Sequence, residues 1–152
     1  MKKVNTTRFG EIEIDENKIV RFDKGIPAFE EEHEFLIIPY DEESPYVFLQ
    51  SLTTPDLAFL MTVPFLFFPE YEFEIDDASI AELGIEEEED LLIYSLLTIP
   101  GGNVRQMTAN LLAPLVINQR NFQAKQIILE KSSYQTKHRL FANEKAAAEG
   151  DE

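Results

Sequence analysis

The chain has 152 residues, 29 Asp+Glu against 13 Lys+Arg, a formal net charge of −16, 44% hydrophobic residues and no cysteine. That is the composition of one globular domain with a real core, and it excludes disulfides, thiolate metal sites and a Cys nucleophile. A pI near 4.4 disfavours direct contact with nucleic acid or anionic lipid, because phosphates are held by Lys and Arg.

No apolar run approaches the roughly 20 residues that span a bilayer. The start, Met1-Lys2-Lys3-Val4-Asn5, lacks the apolar stretch of a signal peptide. With the missing cysteines, this makes the cytoplasm the expected compartment.

The dominant period is two. Ile12 and Ile14 alternate with Glu11 and Glu13, and Ile19 and Arg21 alternate with Val20 and Phe22. Phe35–Ile38, Tyr46–Gln50 and Ala58–Val63 are short apolar runs rich in aromatic or branched residues, closed by Pro or acidic clusters. Such segments read as strands. Asp76–Gly84 reads as the one helix, near residues 77–83, with an Asp cap and a terminal glycine. Leu91–Ile99, Leu111–Asn118 and Phe122–Glu130 read as later strands, and Gln119-Arg120-Asn121 is short enough for a hairpin link. Pro39, Pro64 and Pro100 are expected to end strands, and Pro114 to mark an edge or bulge. The expected fold is all-β, mostly antiparallel, a partly closed β-barrel with one short helix. Residues 1–141 form a single domain in this reading, and 142–152 a flexible polar tail.

Charge is unevenly placed. Residues 1–90 hold 24 Asp+Glu and 6 Lys+Arg, whereas residues 91–152 hold 5 and 7. The acids are threaded between large apolar residues, as in Tyr71-Glu72-Phe73-Glu74-Ile75. Such a surface repels nucleic acid and attracts a basic protein.

The chemical motifs are few. Glu72 and Glu74 share a face of a candidate strand, about 7 Å apart, which is loosely compatible with a glycosidase pair. Without a cleft or a shifted pKa, a solvated strand face is the simpler reading. Glu86–Asp90 lacks the alternate spacing and central Gly of a calcium loop, so it reads as a solvated loop, as do Glu30–Glu32 and Asp41–Glu43. His33 and His138 stand apart beside charged residues and read as surface histidines rather than ligands. There is no nucleophile elbow and no phosphate-binding glycine loop; Gly101-Gly102 reads as a turn.

The most unusual stretch is Val63-Pro64-Phe65-Leu66-Phe67-Phe68-Pro69-Glu70-Tyr71. Whatever part of it stays outside the core is an aromatic patch beside acids, an interface composition. Lys24-Gly25-Ile26-Pro27-Ala28-Phe29-Glu30 similarly presents Phe29 next to an acidic run. By composition, the apolar contact candidates are Phe65, Phe67, Phe68, Tyr71 and Phe29. The charge candidates are Glu70, Glu72, Glu74, Asp76 and Asp77.

Lys24–Glu30 and Phe65–Phe73, with Leu83-Gly84-Ile85, Thr98-Ile99-Pro100 and Met107–Asn118, resemble the flagellar assembly factor FliW family, in order from about Phe9 to Leu140. Ala28 stands where the family more often has Gly. The resemblance implies a β-barrel-like cytoplasmic protein without catalytic activity or cofactor. It further implies two partners: the translational repressor CsrA, which the protein keeps from silencing flagellin messenger RNA, and flagellin itself, in a partner switch. Two other readings compete. One is a carboxylate-based hydrolase acting on sugars, and the other a structural subunit whose Phe-rich patch makes a permanent oligomer.

Overall fold

The computed structural model describes residues 2–26, 29–41, 43–129 and 132–140. The chain opens with an antiparallel hairpin of β1 (Lys2–Thr6) and β2 (Gly10–Ile14). Then follow β3 (Val20–Arg21), β4 (Glu34–Pro39), β5 (Tyr46–Ser51) and β6 (Ala58–Thr62). The helix α1 (Asp77–Leu83) precedes β7 (Leu91–Thr98), β8 (Thr108–Ala109), β9 (Leu115–Asn118), β10 (Ala124–Gln126) and β11 (His138–Arg139).

The main sheet has the order β10-β9-β7-β6-β5-β4-β3, with β8 paired to β7 and β11 to β8. Every strand pairing in it is antiparallel. Its two ends curl towards each other. The Arg21 N–H donates to the Phe122 carbonyl at 2.9 Å, and Arg21 and Gln123 form a single parallel bridge. The barrel is partly closed, as the alternating pattern predicts.

Both faces of this sheet are covered. On one, Phe35, Leu49 and Met61 meet Val20, Phe22, Leu115 and Ile117, and all seven are buried. On the other, Tyr46, Leu60 and Leu97 pack against Tyr71, Met107, Ala109 and Leu111. A sheet covered twice needs apolar residues on both sides of each strand, which is why its strands read as continuous apolar runs. A third cluster, Leu83, Val116 and Ile127, seats α1.

The helix ends as its sequence dictates. Asp76 accepts from the Ser79 N–H at 3.2 Å and the Ser79 hydroxyl at 2.7 Å. These bonds favour the ionised form, so the Asp76 carboxyl sits below its ordinary pKa. Gly84 takes the left-handed conformation, φ 67°, and the Ile85 N–H closes on the Ile80 carbonyl at 3.0 Å. The Asn118 side-chain amide then donates to the Leu83 carbonyl at 2.8 Å, tying the helix to β9.

Several expectations need correction. Leu111–Pro114 is not strand: Asn110 Oδ1 accepts from the Ala113 N–H at 3.0 Å and turns the chain there. Pro114, expected at an edge or bulge, is buried at the entry to β9, where its missing N–H costs no ladder bond. Phe122 has φ 57°, so the extended run begins only at Ala124. Beyond Gln126, pairing continues irregularly through Ile127 N–H to the Pro114 carbonyl and Leu129 N–H to the Leu112 carbonyl. Tyr71–Asp76 alternates in burial but forms no sheet strand. The two-residue strands β8 and β11 are too short to leave a periodic signal. The tail 142–152 and Ala28 lie outside the described residues.

Two acidic runs are not simply solvated. Glu32 accepts from the Ser51 hydroxyl at 2.5 Å and the Thr54 hydroxyl at 2.7 Å, stapling its loop to β5. Asp90 is 6% exposed, accepts from the Glu86 and Glu87 N–H groups and lies 3.7 Å from Arg120.

Gly25 fixes the loop that carries Phe29. Its φ is +70°, and a Cβ there would sit 2.4 Å from the Glu30 carbonyl oxygen. Gly25→Ala is expected to cost more than about 1 kcal/mol, read as a lower urea midpoint at unchanged slope.

Candidate partner-binding site

The site is built by a chain segment that cannot be a strand. Pro64 starts a tight turn over Pro64–Leu66, and the Phe67 and Phe68 N–H groups both return to the Pro64 carbonyl. Pro69 follows. The aromatic side chains are thereby splayed in different directions instead of alternating across a ladder.

Tyr71 anchors the segment. It is 4% exposed, and its hydroxyl donates to the Leu111 carbonyl at 2.7 Å. Burial, and the neighbouring Tyr134, push its pKa up. Its ring stands 4.7 Å from Tyr134 in an edge-to-face contact, 5.3 Å from Phe73 and 5.7 Å from Phe65. Tyr71 therefore contributes an inner wall rather than an outward contact.

A groove of about 510 Å³ opens above this anchor. It is lined by Phe67, Phe68, Glu70, Leu111, Tyr134 and His138, with Pro69 and Tyr71. The His138 ring stands nearly perpendicular to both Phe68, at 6.1 Å, and Tyr134, at 6.0 Å. Its Nε2 accepts from the Gln135 N–H at 2.8 Å, and burial lowers its pKa. His138 is thus a half-buried wall, not the surface residue its charged neighbours suggested. His33 is exposed, as expected of a surface histidine, and its Nδ1–H bonds the Phe22 carbonyl at 2.8 Å.

The structure brings together Phe67, Phe68, Glu70 and Tyr71 of the sequence candidates. Phe65 and Leu66 form an apolar shoulder beside them, 39% and 62% exposed. Glu72 and Glu74 face solvent while Tyr71 is buried and Phe73 and Ile75 are half-buried between them. Neither lines the groove. Asp77 is exposed in the first turn of α1, and Asp76 is spent as the helix cap. Phe29 is separated from the rest. It packs edge-on against Phe59 at 5.2 Å, on the sheet face opposite to the groove.

Sequence reasoning missed Tyr134 and His138, which arrive from about 65 residues further along the chain. The only signal was a lone Tyr in the polar stretch Ser132–Lys137. It also missed a second concavity, about 590 Å³, crossing β5, β6 and β7 between Tyr46, Leu60, Leu97 and Met107. At its far end Arg8 lies over the Phe48 ring at 4.7 Å. The Tyr46–Phe67 stack, 6.1 Å apart, joins the two concavities.

An antiparallel sheet with an aromatic groove and Glu70 at its rim presents a class of surface whose composition is that of protein interfaces. Comparison with known proteins narrows this class. A family model described as FliW protein matches residues 3–140. Proteins described as flagellar assembly factor FliW are similar throughout. The one from Geobacillus kaustophilus is 47% identical over 91% of this chain and 95% of its own length. The one from Bacillus subtilis is 43% identical over 89% and 94%. A crystal structure of the flagellar assembly factor FliW superposes with a TM-score of 0.85 at 44% identity, covering 91% of this chain and 96% of that one. The chain belongs to the FliW family.

Two stability effects follow from the anchor and the wall. Tyr71→Phe leaves the Leu111 carbonyl without its donor and is expected to cost about 1–2 kcal/mol in urea unfolding. The lowered His138 pKa stabilises the fold above the ordinary histidine value of 6.5, and this contribution is lost as pH falls through the folded value. Wild type should lose more stability than His138→Gln between about pH 7 and pH 5.5, measured by thermal unfolding.

Proposed function

We propose that this chain is a non-enzymatic flagellar assembly factor of the cytoplasm that binds the repressor CsrA and relieves repression of flagellin messenger RNA. Flagellin binds the same protein and displaces CsrA, so that free flagellin shuts down its own synthesis. The observation that carries the reading is the exposed Phe65–Leu66 shoulder and aromatic groove beside the exposed carboxylates Glu70, Glu72, Glu74 and Asp77.

The physical argument is one of complementarity. A protein that grips RNA is basic where it does so, and a surface of net charge −16 steers it in. Once docked, the carboxylates repel RNA phosphates within a Debye length of about 8 Å. The apolar shoulder supplies the desolvated contact that charge alone does not. Flagellin fits by the same logic, because an amphipathic helix lays its apolar face into a groove with aromatic walls.

The test is calorimetric titration of this protein into the CsrA of the same genome at about 50 and 300 mM salt, repeated with flagellin present. Severalfold weaker binding at the higher salt, and loss of binding with flagellin, are expected. Glu70→Lys combined with Glu72→Lys should lower the association rate by about tenfold at low salt. No binding to wild type would remove the function. Failure of flagellin to displace CsrA would remove the switch.

A further inference from the structure

The groove has a composition that an ordinary apolar cleft does not need. Three half-buried rings, Phe68, Tyr134 and His138, stand on its sides, with His138 edge-on to the other two at 76° and 68°. Glu70 lies at the rim, and no Lys or Arg is among the described lining residues. The wall of His138 is uncharged: its Nε2 lone pair is occupied by the Gln135 N–H, so its proton is on Nδ1. Burial favours that neutral form.

Among the described residues, the neighbouring cations do not fill the space. Arg139 alternates with His138 along β11 and so points away from it, with its Nη2 donating to the Arg105 carbonyl at 3.2 Å. Lys137 is exposed outside the strand. Tyr134 is fixed from behind, because its hydroxyl oxygen accepts from the Glu72 N–H at 3.1 Å.

We propose that this groove is a cation box that takes one Arg or Lys side chain from a basic partner. The aromatic walls attract a cation through their ring quadrupoles. Glu70 supplies a charge-assisted hydrogen bond at the mouth. The guanidinium of Arg is the better fit, since it stacks on rings and sheds water more readily than an ammonium. That the partner is CsrA rests on the function proposed above; that the box binds a cation does not.

The test has two arms. In the first, aromatic NMR signals of Tyr134 and Phe68 are followed during titration with N-acetyl-arginine amide and with its neutral counterpart N-acetyl-norleucine amide. Saturable shifts with the arginine compound alone are expected. Tyr134→Phe keeps a ring wall and should keep them; Tyr134→Leu should lose them. Equal shifts from both compounds, or none, would overturn the proposal.

In the second arm, CsrA affinity is compared across variants. Tyr134→Leu is expected to weaken it by about 5- to 30-fold, and Glu70→Gln severalfold, with Tyr134→Phe close to wild type. Glu70 is exposed, so Glu70→Gln reports on the box even where Tyr134→Leu unfolds. If wild type ignores CsrA but responds to the arginine compound, the box stands and the proposed function fails. If CsrA binds wild type, Tyr134→Leu and Glu70→Gln alike, the function stands and the box is overturned as its anchor.

Discussion

The bond from the Tyr71 hydroxyl to the Leu111 carbonyl holds together three parts of the chain that are remote in sequence. Tyr71 belongs to the Pro-bounded aromatic segment, and Leu111 to the turn that feeds β9. Tyr134 belongs to the stretch before β11 and stacks edge-on against the Tyr71 ring. An aromatic ring that must bury its polar tip needs a backbone acceptor, and the geometry of that acceptor fixes where Phe65, Phe67 and Phe68 can stand. The groove is the space left over once Tyr71 is satisfied.

The second constraint is that the sheet has two apolar faces. Curling the sheet so that Arg21 reaches Phe122 encloses one face as a barrel interior. The other must be covered by something else, and the segment around Tyr71, with Met107, Ala109 and Leu111, covers it incompletely. Both concavities lie on this incompletely covered side. The groove is the unfinished part of a core, which explains why its lining is aromatic.

Charge is organised around that surface rather than within it. Five cations of the described residues pair with nearby carboxylates: Lys3 with Glu11, Arg21 with Glu34, Lys24 and Lys125 with Glu82, and Arg120 with Glu86. Most of these pairs are exposed and contribute little to stability. Their consequence is electrostatic. Among the described residues, Glu70, Glu72 and Glu74 form no ion pair, so the field beside the aromatic shoulder is left negative.

Much of the fold was legible because it is governed by neighbours in sequence. The period of two placed β2, short apolar runs placed β4, β5, β6 and β7, and Asp76 and Gly84 marked the ends of α1, because strand runs and helix caps are local chemistry. The acid–aromatic interleaving of Glu70–Ile75 was legible too, because it is composition. Tertiary structure decided the rest. It turned Tyr71 inwards and spent Asp76 on a helix cap. It placed Phe29 across the sheet from Phe68, and it brought Tyr134 and His138 to the groove. Those outcomes depend on which distant backbone groups need a partner and which sheet face lacks a cover, and no local pattern encodes either.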